Sequence, residues 1–504
     1  MILTRVNNYL GASLLSLSAA FVGVFIFHLP IWNGPMYGDD FLGVNAALQP
    51  NGSNGIWSDI WLAGGGKWRP VSTPIMLWMG RHFEYSYRPY QILNFSLLIL
   101  CAALVGVLTY HLYKSIFTAS TISFAISISH FTWLGQISIY GQMELLAVIF
   151  LVCASATALV SIELPSDNSR RALQLQLLTA LLLLLSTFTH ERYLLTAFCF
   201  WLLFLFSSPA DSKLRTRSYL FLVVPVIHIF LKGVLMNLNP IAGGGESNLR
   251  DVRSWWLLQH LGDSFLGLFG YFSGAGKYYS EWPIGQLGKQ SDLRIIGVLI
   301  ITTPLLAITL LLLKLHNKSE ASFRQKNFRT QCIFQFSLVI ATIAPAASVL
   351  QRIEPRWLFA PQIFFLLLCT TIISRFNVNK LLKTIAPIIL PLCFISISIF
   401  YRGKSEVYSL LRDQPSAAIL SIEKVAPPEA DWVLSLHQTD ATMPVQWQFG
   451  YGRAFSQMKN PPYKIYYSSA KGCSEISVKI PCVSILLKAA SLHFDVKLSS
   501  PRTD

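Results

Sequence analysis

Residues 138–160 read SIYGQMELLAVIFLVCASATALV, an apolar run of membrane-crossing length that carries one carboxylate, Glu144, near its start. At 1.5 Å rise per residue, about 20 such residues span a bilayer core as an α-helix. Only a helix satisfies every backbone group within the segment there. The same signature recurs along the 504-residue chain, with apolar runs near 10–32, 91–112, 115–133, 138–160, 173–189, 193–208, 218–236, 294–314, 331–350, 357–374 and 384–401. The expected fold is an all-α polytopic membrane protein of about 11 transmembrane helices.

Composition agrees. The chain is 53% hydrophobic and 13% charged, where a soluble domain is nearer a quarter charged. The formal charge of +15 would suggest nucleic acid in a soluble protein. Here the basic residues gather in short loops between the runs, as the positive-inside bias requires, so no nucleic acid is expected. Arg5 precedes an apolar stretch, Leu10–Trp32, that is longer than an ordinary signal core and has no clear cleavage site, and it reads as an uncleaved first span.

Alternate connections carry the cations: Lys114; Arg170 and Arg171; Lys213, Arg215 and Arg217; Lys314, Lys318, Arg324, Lys326 and Arg329; Arg375, Lys380 and Lys383. That alternation sets the N-terminus and these loops in the cytoplasm. The other segments then face outward, at the periplasmic side of a bacterial inner membrane: 37–88, the turns near 134–138 and 190–192, the 237–293 loop, the 351–356 turn and the tail. The 237–293 loop holds Gly243-Gly244-Gly245 and a Trp-rich stretch, Ser254–Phe272, expected to lie in the interface. Residues 1–401 form the membrane domain. Residues 402–504 are less apolar, with Pro-Pro turns at 427–428 and 461–462 and β-leaning runs at Ile476–Ile480 and Val483–Leu487, expected to form a small mixed α/β domain. Six of the eight cysteines lie in apolar runs and read as small hydrophobes. Cys473 and Cys482 do not, and in an oxidising compartment they are candidates to pair.

The outward segments hold the unusual polar residues. The first loop, 33–90, is expected to carry amphipathic helices. Its stretch Tyr37–Pro70, YGDDFLGVNAALQPNGSNGIWSDIWLAGGGKWRP, begins with Asp39 and Asp40 and ends with Lys67-Trp68-Arg69-Pro70. The acids fit a helix N-cap before Phe41–Leu48. They equally fit a proton acceptor, since adjacent carboxylates repel and raise one pKa. Lys67 and Arg69 suit lipid headgroups or a phosphate. Glu144, His190-Glu191-Arg192, and Arg352 and Arg356 with Glu354 fall at one membrane depth. Charges in spans face a cavity or one another, so these residues either line a polar cavity or staple the bundle by salt bridges.

Trp68-Arg69-Pro70-Val71, followed by Pro89-Tyr90-Gln91-Ile92-Leu93-Asn94, resembles a stretch of bacterial GT-C membrane glycosyltransferases of the protein O-mannosyltransferase-like group. Trp133, Gly141, Glu144, Leu145 and Leu146, then His190-Glu191, then Arg356-Trp357-Leu358 before Pro361 are similar to later motifs of that group, in the same order. Gln91, Gln142 and His190 depart from it, standing where the group has His, Arg and Lys. No tetratricopeptide array follows. The resemblance implies transfer of a sugar from a polyprenyl-phosphate donor to a glycan, lipid or protein acceptor on the outer face, with inversion at the anomeric carbon. It implies Asp39 as the base, Asp40 orienting the acceptor, and Arg69, Arg192 and Arg356, with Lys67 behind them, on the donor phosphate. No cofactor is required on this reading, with a divalent cation as an option at Asp40. A flippase for a lipid-linked sugar and an outward-facing glycan ligase are the alternative readings. The sequence has no internal repeat of the kind many transporters show, and its polar residues sit at one face.

Overall fold

In the computed structural model, the described residues are 2–28, 39–48, 56–64, 67–132, 138–164, 168–207, 216–239, 323–347, 355–375, 391–399, 406–438, 449–462, 464–468, 480–487 and 494–499, with isolated positions between. They form a predominantly helical, membrane-embedded bundle with a small sheet domain at one end.

Five helices among these residues are long and apolar enough to cross a membrane: Asn7–His28, Tyr87–Tyr113, Gly141–Glu163, Ser169–Thr189 and Thr216–Leu235. Two shorter apolar helices, Ile116–Thr132 and Arg356–Ile372, accompany them. Each coincides with an apolar run of the sequence. The first helix, α1 (Ile2–His28), starts before the expected run. The expected spans at 193–208 and 331–350 are helical over Thr196–Ser207 and Phe323–Ala347. That at 384–401 is helical over 391–399. The span at 294–314, Gly243-Gly244-Gly245 and most of the 254–272 stretch lie outside the described residues.

Between α1 and the next span lie α2 (Asp39–Leu48), α3 (Ile56–Asp59), a two-stranded antiparallel hairpin of β1 (Ala63–Gly64) and β2 (Lys67–Trp68), and α4 (Ser72–Phe83). Then come α5 (Tyr87–Tyr113), α6 (Ile116–Ser127), α7 (Gly141–Glu163), α8 (Ser169–Thr189), α9 (Thr196–Ser207), α10 (Leu220–Phe230), α11 (Phe323–Ala347) and α12 (Phe359–Arg375). The first loop therefore carries the short helices the sequence led us to expect. Its α2 packs on α4 so tightly that a methyl group at Gly80 would overlap the Ala47 side chain.

The two ends of the bundle differ in chemistry. At one, Lys114 donates to the Tyr9 hydroxyl (2.7 Å), His111 pairs with Glu163 (3.2 Å), and Arg217 donates to the Ser169 carbonyl (3.3 Å). These contacts draw three of the basic connections to a single end. The other end holds the first loop, the starts of α5 and α7, and the end of α8.

The C-terminal domain also sits at this second end. Helix α13 (Glu406–Glu423) covers a four-stranded sheet of order β4-β3-β5-β6. Strand β3 (Val433–Gln438) runs parallel to β4 (Lys464–Ser468) and β5 (Cys482–Leu487), and β6 (Asp495–Ser499) is antiparallel to β5. The Pro-Pro pairs fall after α13 and before β4, where backbone donors are dispensable. Cys473 and Cys482 form a disulfide, Cα–Cα 5.7 Å. The run Ile476–Val478 lies outside the described residues, as does Lys479; Val483–Leu487 is β5. The domain shares one hydrophobic cluster with the first loop: Ile419, Ile422, Leu434 and Phe455 join Phe41, Val44, Met79 and Tyr90. Tyr85 also hydrogen-bonds Ser456 (2.8 Å). Loop and tail therefore occupy the same side of the bundle.

Candidate functional site

Arg69 follows β2 and precedes α4. Trp68 beside it is buried, with its indole N–H donating to the Ile60 carbonyl (2.8 Å) and its ring edge-on to Phe188 (5.4 Å). So anchored, the strand directs Arg69 to the end of α8. There the chain breaks helix at Thr189, passes through an extended His190 (φ −151°, ψ 117°), and turns once over Glu191–Leu195. The break leaves carbonyls and amides without helical partners. Ser72 donates its hydroxyl to the Thr189 carbonyl (3.2 Å), and His190 Nδ1 accepts from the Arg192 amide (3.3 Å).

Two ion pairs result. Arg69 grips Glu191 with both prongs, Nε to Oε2 at 2.9 Å and Nη2 to Oε1 at 2.8 Å, while Nη1 reaches the Met143 sulfur at 2.8 Å. Glu144, in the first turn of α7, takes Arg192 Nη2 at 2.6 Å and His190 Nε2 at 3.2 Å on Oε1, and the Tyr193 hydroxyl at 3.1 Å on Oε2. A carboxylate there also suits the positive end of the helix dipole. His190 Nδ1 stands 3.7 Å from Glu191 Oε2, so the ring lies between the two carboxylates. The Arg192 guanidinium lies over the Trp357 ring, 5.2 Å from its centroid, a favourable cation–π arrangement once water is excluded. Arg356 is within electrostatic reach of Glu144. Glu144, His190, Glu191 and Arg192 are each 9% exposed or less, a placement tolerable only because the charges are paired and hydrogen-bonded.

Burial pushes the His190 imidazole down to about 4, helped by Arg192 and Arg69 and opposed by Glu144 and Glu191, so the ring is neutral near pH 7. Burial pulls the Glu191 carboxyl up, but His190 and the Arg69 fork hold it well below the usual carboxylate range.

The residues that the sequence singled out separate into three groups. Arg69, Glu144, His190, Glu191, Arg192 and Arg356 converge, and the stapling of Arg69 and Arg192 by carboxylates is part of the convergence. Asp40 is buried nearby in the fold but does other work: its Oδ1 accepts from the Ser138 hydroxyl (2.8 Å) and the Ile139 amide (3.0 Å), which ties α2 to the turn that starts α7. Asp39 heads α2, and its side chain lies outside the described structure. Lys67 is half-buried on β2, two residues before Arg69. Arg352 and Glu354 lie outside the described residues. Among the described residues no group of three His, Cys, Asp or Glu side chains is arranged to hold a metal ion, and Glu144 and Glu191 are each engaged by an arginine.

Lys232 and His228 were not legible as site residues. Both are fully buried on the segment 220–235 and lie within electrostatic reach of Glu191. The signal was available, since Lys232 is the one charged residue between 218 and 236. Near the end of a span it reads as a snorkelling cation.

These features define a helical membrane protein with a buried ionic cluster at the end of the bundle where its small α/β domain docks. The sequence matches no protein-family model and none of the curated proteins.

Proposed function

We propose that the chain is a GT-C-type membrane glycosyltransferase of about 11 spans. It moves a sugar from a polyprenyl-phosphate donor to a cell-envelope glycan, lipid or protein at the periplasmic face of a bacterial inner membrane. The observation that carries the reading is the convergence of Arg69, Glu144, His190, Glu191, Arg192 and Arg356 on one buried cluster at one end of an apolar bundle. These six come from four separate stretches of sequence, and all but Arg192 belong to the motifs that resemble the glycosyltransferases. A preorganised set of cations in a water-poor site stabilises negative charge where it develops, and a departing lipid phosphate develops such charge.

In the proposed reaction, the Asp39 carboxylate takes the proton of the acceptor hydroxyl. The acceptor oxygen bonds to the anomeric carbon from the face opposite the phosphate. The bond between that carbon and the phosphate oxygen breaks, and its electron pair leaves with the phosphate toward the arginines. Asp40 holds the turn at Ser138–Ile139 and so sets the position of α2, on which Asp39 sits.

The test is a transfer assay with purified protein and a panel of polyprenyl-phosphate sugars, comparing the parent with Asp39→Asn. Product from at least one donor, lost in the variant, is expected. No product from any donor, together with vectorial movement of a lipid-linked sugar, turns the reading to a flippase.

A further inference from the structure

Helix α2 is only 10 residues long, a length that is marginal for a helix on its own. Three separate parts of the chain close on it. The first is α4, whose Gly80 faces the Ala47 side chain. The second is the turn 138–140. Asp40 accepts from Ser138 and Ile139 there, and a Cβ at Gly43 would lie 2.8 Å from Tyr140 Oη and 2.9 Å from Ile139 Cδ1. The third is the C-terminal domain, whose turn segment Gly450–Gln457 packs on α2.

That segment is itself firmly held. The amides of Gly452 and Ala454 both donate to the Phe449 carbonyl (3.1 and 3.2 Å), and the Phe449 and Phe455 rings stack at 5.3 Å. Gly452 has φ 90°, and a Cβ there would stand 2.9 Å from Ile465 Cδ1. Glycine is what lets the segment lie this close to β4. Phe449 and Phe455 are buried in the cluster that also contains Phe41 and Val44 of α2. Tyr85, between α4 and α5, adds its hydrogen bond to Ser456 (2.8 Å).

The contacts lead on to the ionic cluster. The turn that α2 grips runs straight into α7 at Gly141, and Glu144 in the first turn of α7 takes Arg192 and His190. Close-packed interiors transmit a displacement rather than absorb it. A shift of α2 therefore moves both Asp39 at its head and the start of α7.

We infer that the C-terminal domain is a clamp on α2, applied through Phe449 and Phe455. The inference deepens the proposed function and rests on it in one respect: with Asp39 as the base, these two aromatics are positioning residues for the transfer step.

The test uses the full-length protein in nanodiscs and two readouts, amide exchange over 40–48 and transfer from a panel of polyprenyl-phosphate sugars. Phe455→Ala should speed exchange over α2 by about tenfold or more, since a lost buried ring loosens what packs on it. It should lower kcat by about tenfold or more and leave the donor KM within about twofold, because small displacements of a reacting group are costly. Phe455→Leu should restore most of both. Where Phe455→Ala does not fold, Gly43→Val decides: it wedges α2 from the turn side and should quicken exchange over 449–458 as well, since coupling is reciprocal. Unchanged exchange over 449–458 in that variant overturns the clamp. So does a folded Phe455→Ala with parental exchange over α2. Faster exchange over α2 with parental kcat overturns the positioning role. No transfer by the parent from any donor removes the transferase, and exchange over α2 alone then decides the clamp.

Discussion

Arg69 and Glu191, 122 residues apart in sequence, meet in a two-pronged ion pair that is almost closed to solvent, with side chains 13% and 7% exposed. The pair fastens the first loop to the break between α8 and α9. Removing one partner of a buried pair leaves the other charge uncompensated, at a cost of about 3–5 kcal/mol. Arg69→Met and Glu191→Met are therefore each expected to lower the melting temperature of the detergent-purified protein sharply. The double substitution should melt above either single one. Melting of the double variant at or below the lower single would show that the pair is not a closed unit.

The two neighbouring aspartates are expected to behave differently. Asp40→Ala leaves the Ser138 hydroxyl and the Ile139 amide without their acceptor. Each orphaned buried donor costs about 1–3 kcal/mol, so the variant should be unstable whatever its activity. Asp39→Asn, at the first residue of α2, should unfold like the parent and lose transfer. If Asp39→Asn keeps transfer while Asp40→Asn, which retains the Oδ1 acceptor, folds and abolishes it, the roles within the pair are reversed.

The sequence exposed the five helices of spanning length because each is a local property: about twenty apolar residues announce themselves without reference to the rest of the chain. It exposed Glu144, His190 and Arg192 for the same reason, as charges where charge is expensive. What it could not expose was pairing. Nothing local says that Arg69 reaches Glu191 rather than a lipid phosphate, or that Arg192 crosses to Glu144. The Asp pair shows the limit from the other side. Two identical adjacent residues point about 100° apart on a helix, and only the packing of α2 against Ser138–Ile139 tells that Asp40 is engaged by the fold. Docking of the C-terminal domain onto Phe41 and Val44 was illegible too, because Ile419 and Phe455 look like the core of a self-contained domain.

The Cys473–Cys482 disulfide closes a short loop at the start of β5, where Cys482 pairs with Val433 on one side and Ser499 on the other. A bridge over 9 residues is worth about 2.5 kcal/mol by loop entropy. Protein purified without reductant should show both thiols blocked by mass spectrometry. Cys473→Ser should loosen the sheet domain, read as faster amide exchange over Val433–Gln438. Two free thiols in such a preparation would count against an oxidising compartment for the tail.

His190 makes the stability of the cluster dependent on pH, with a sign that can be worked out. Its ring is packed among Glu144, Glu191, Arg192 and Arg69, with Tyr193 edge-on at 6.2 Å. Burial, with the two arginines, lowers its pKa from an ordinary 6.5 to about 4. Between those values the unfolded chain binds a proton that the folded chain refuses, so stability falls as pH falls. The loss begins near pH 6.5 and is complete below about 4. The Glu191 carboxyl is held well below 4.5, so its own contribution disappears only on further acidification. Protonating the ring also costs the Nδ1 acceptor used by the Arg192 amide, which opens the turn that places Arg192 on Glu144. The expected result is a melting temperature that drops between pH 7 and pH 4 more steeply for the parent than for His190→Gln. The difference between the two curves isolates this ring from the other histidines. Parallel curves would mean that His190 titrates normally and that the cluster is open to water.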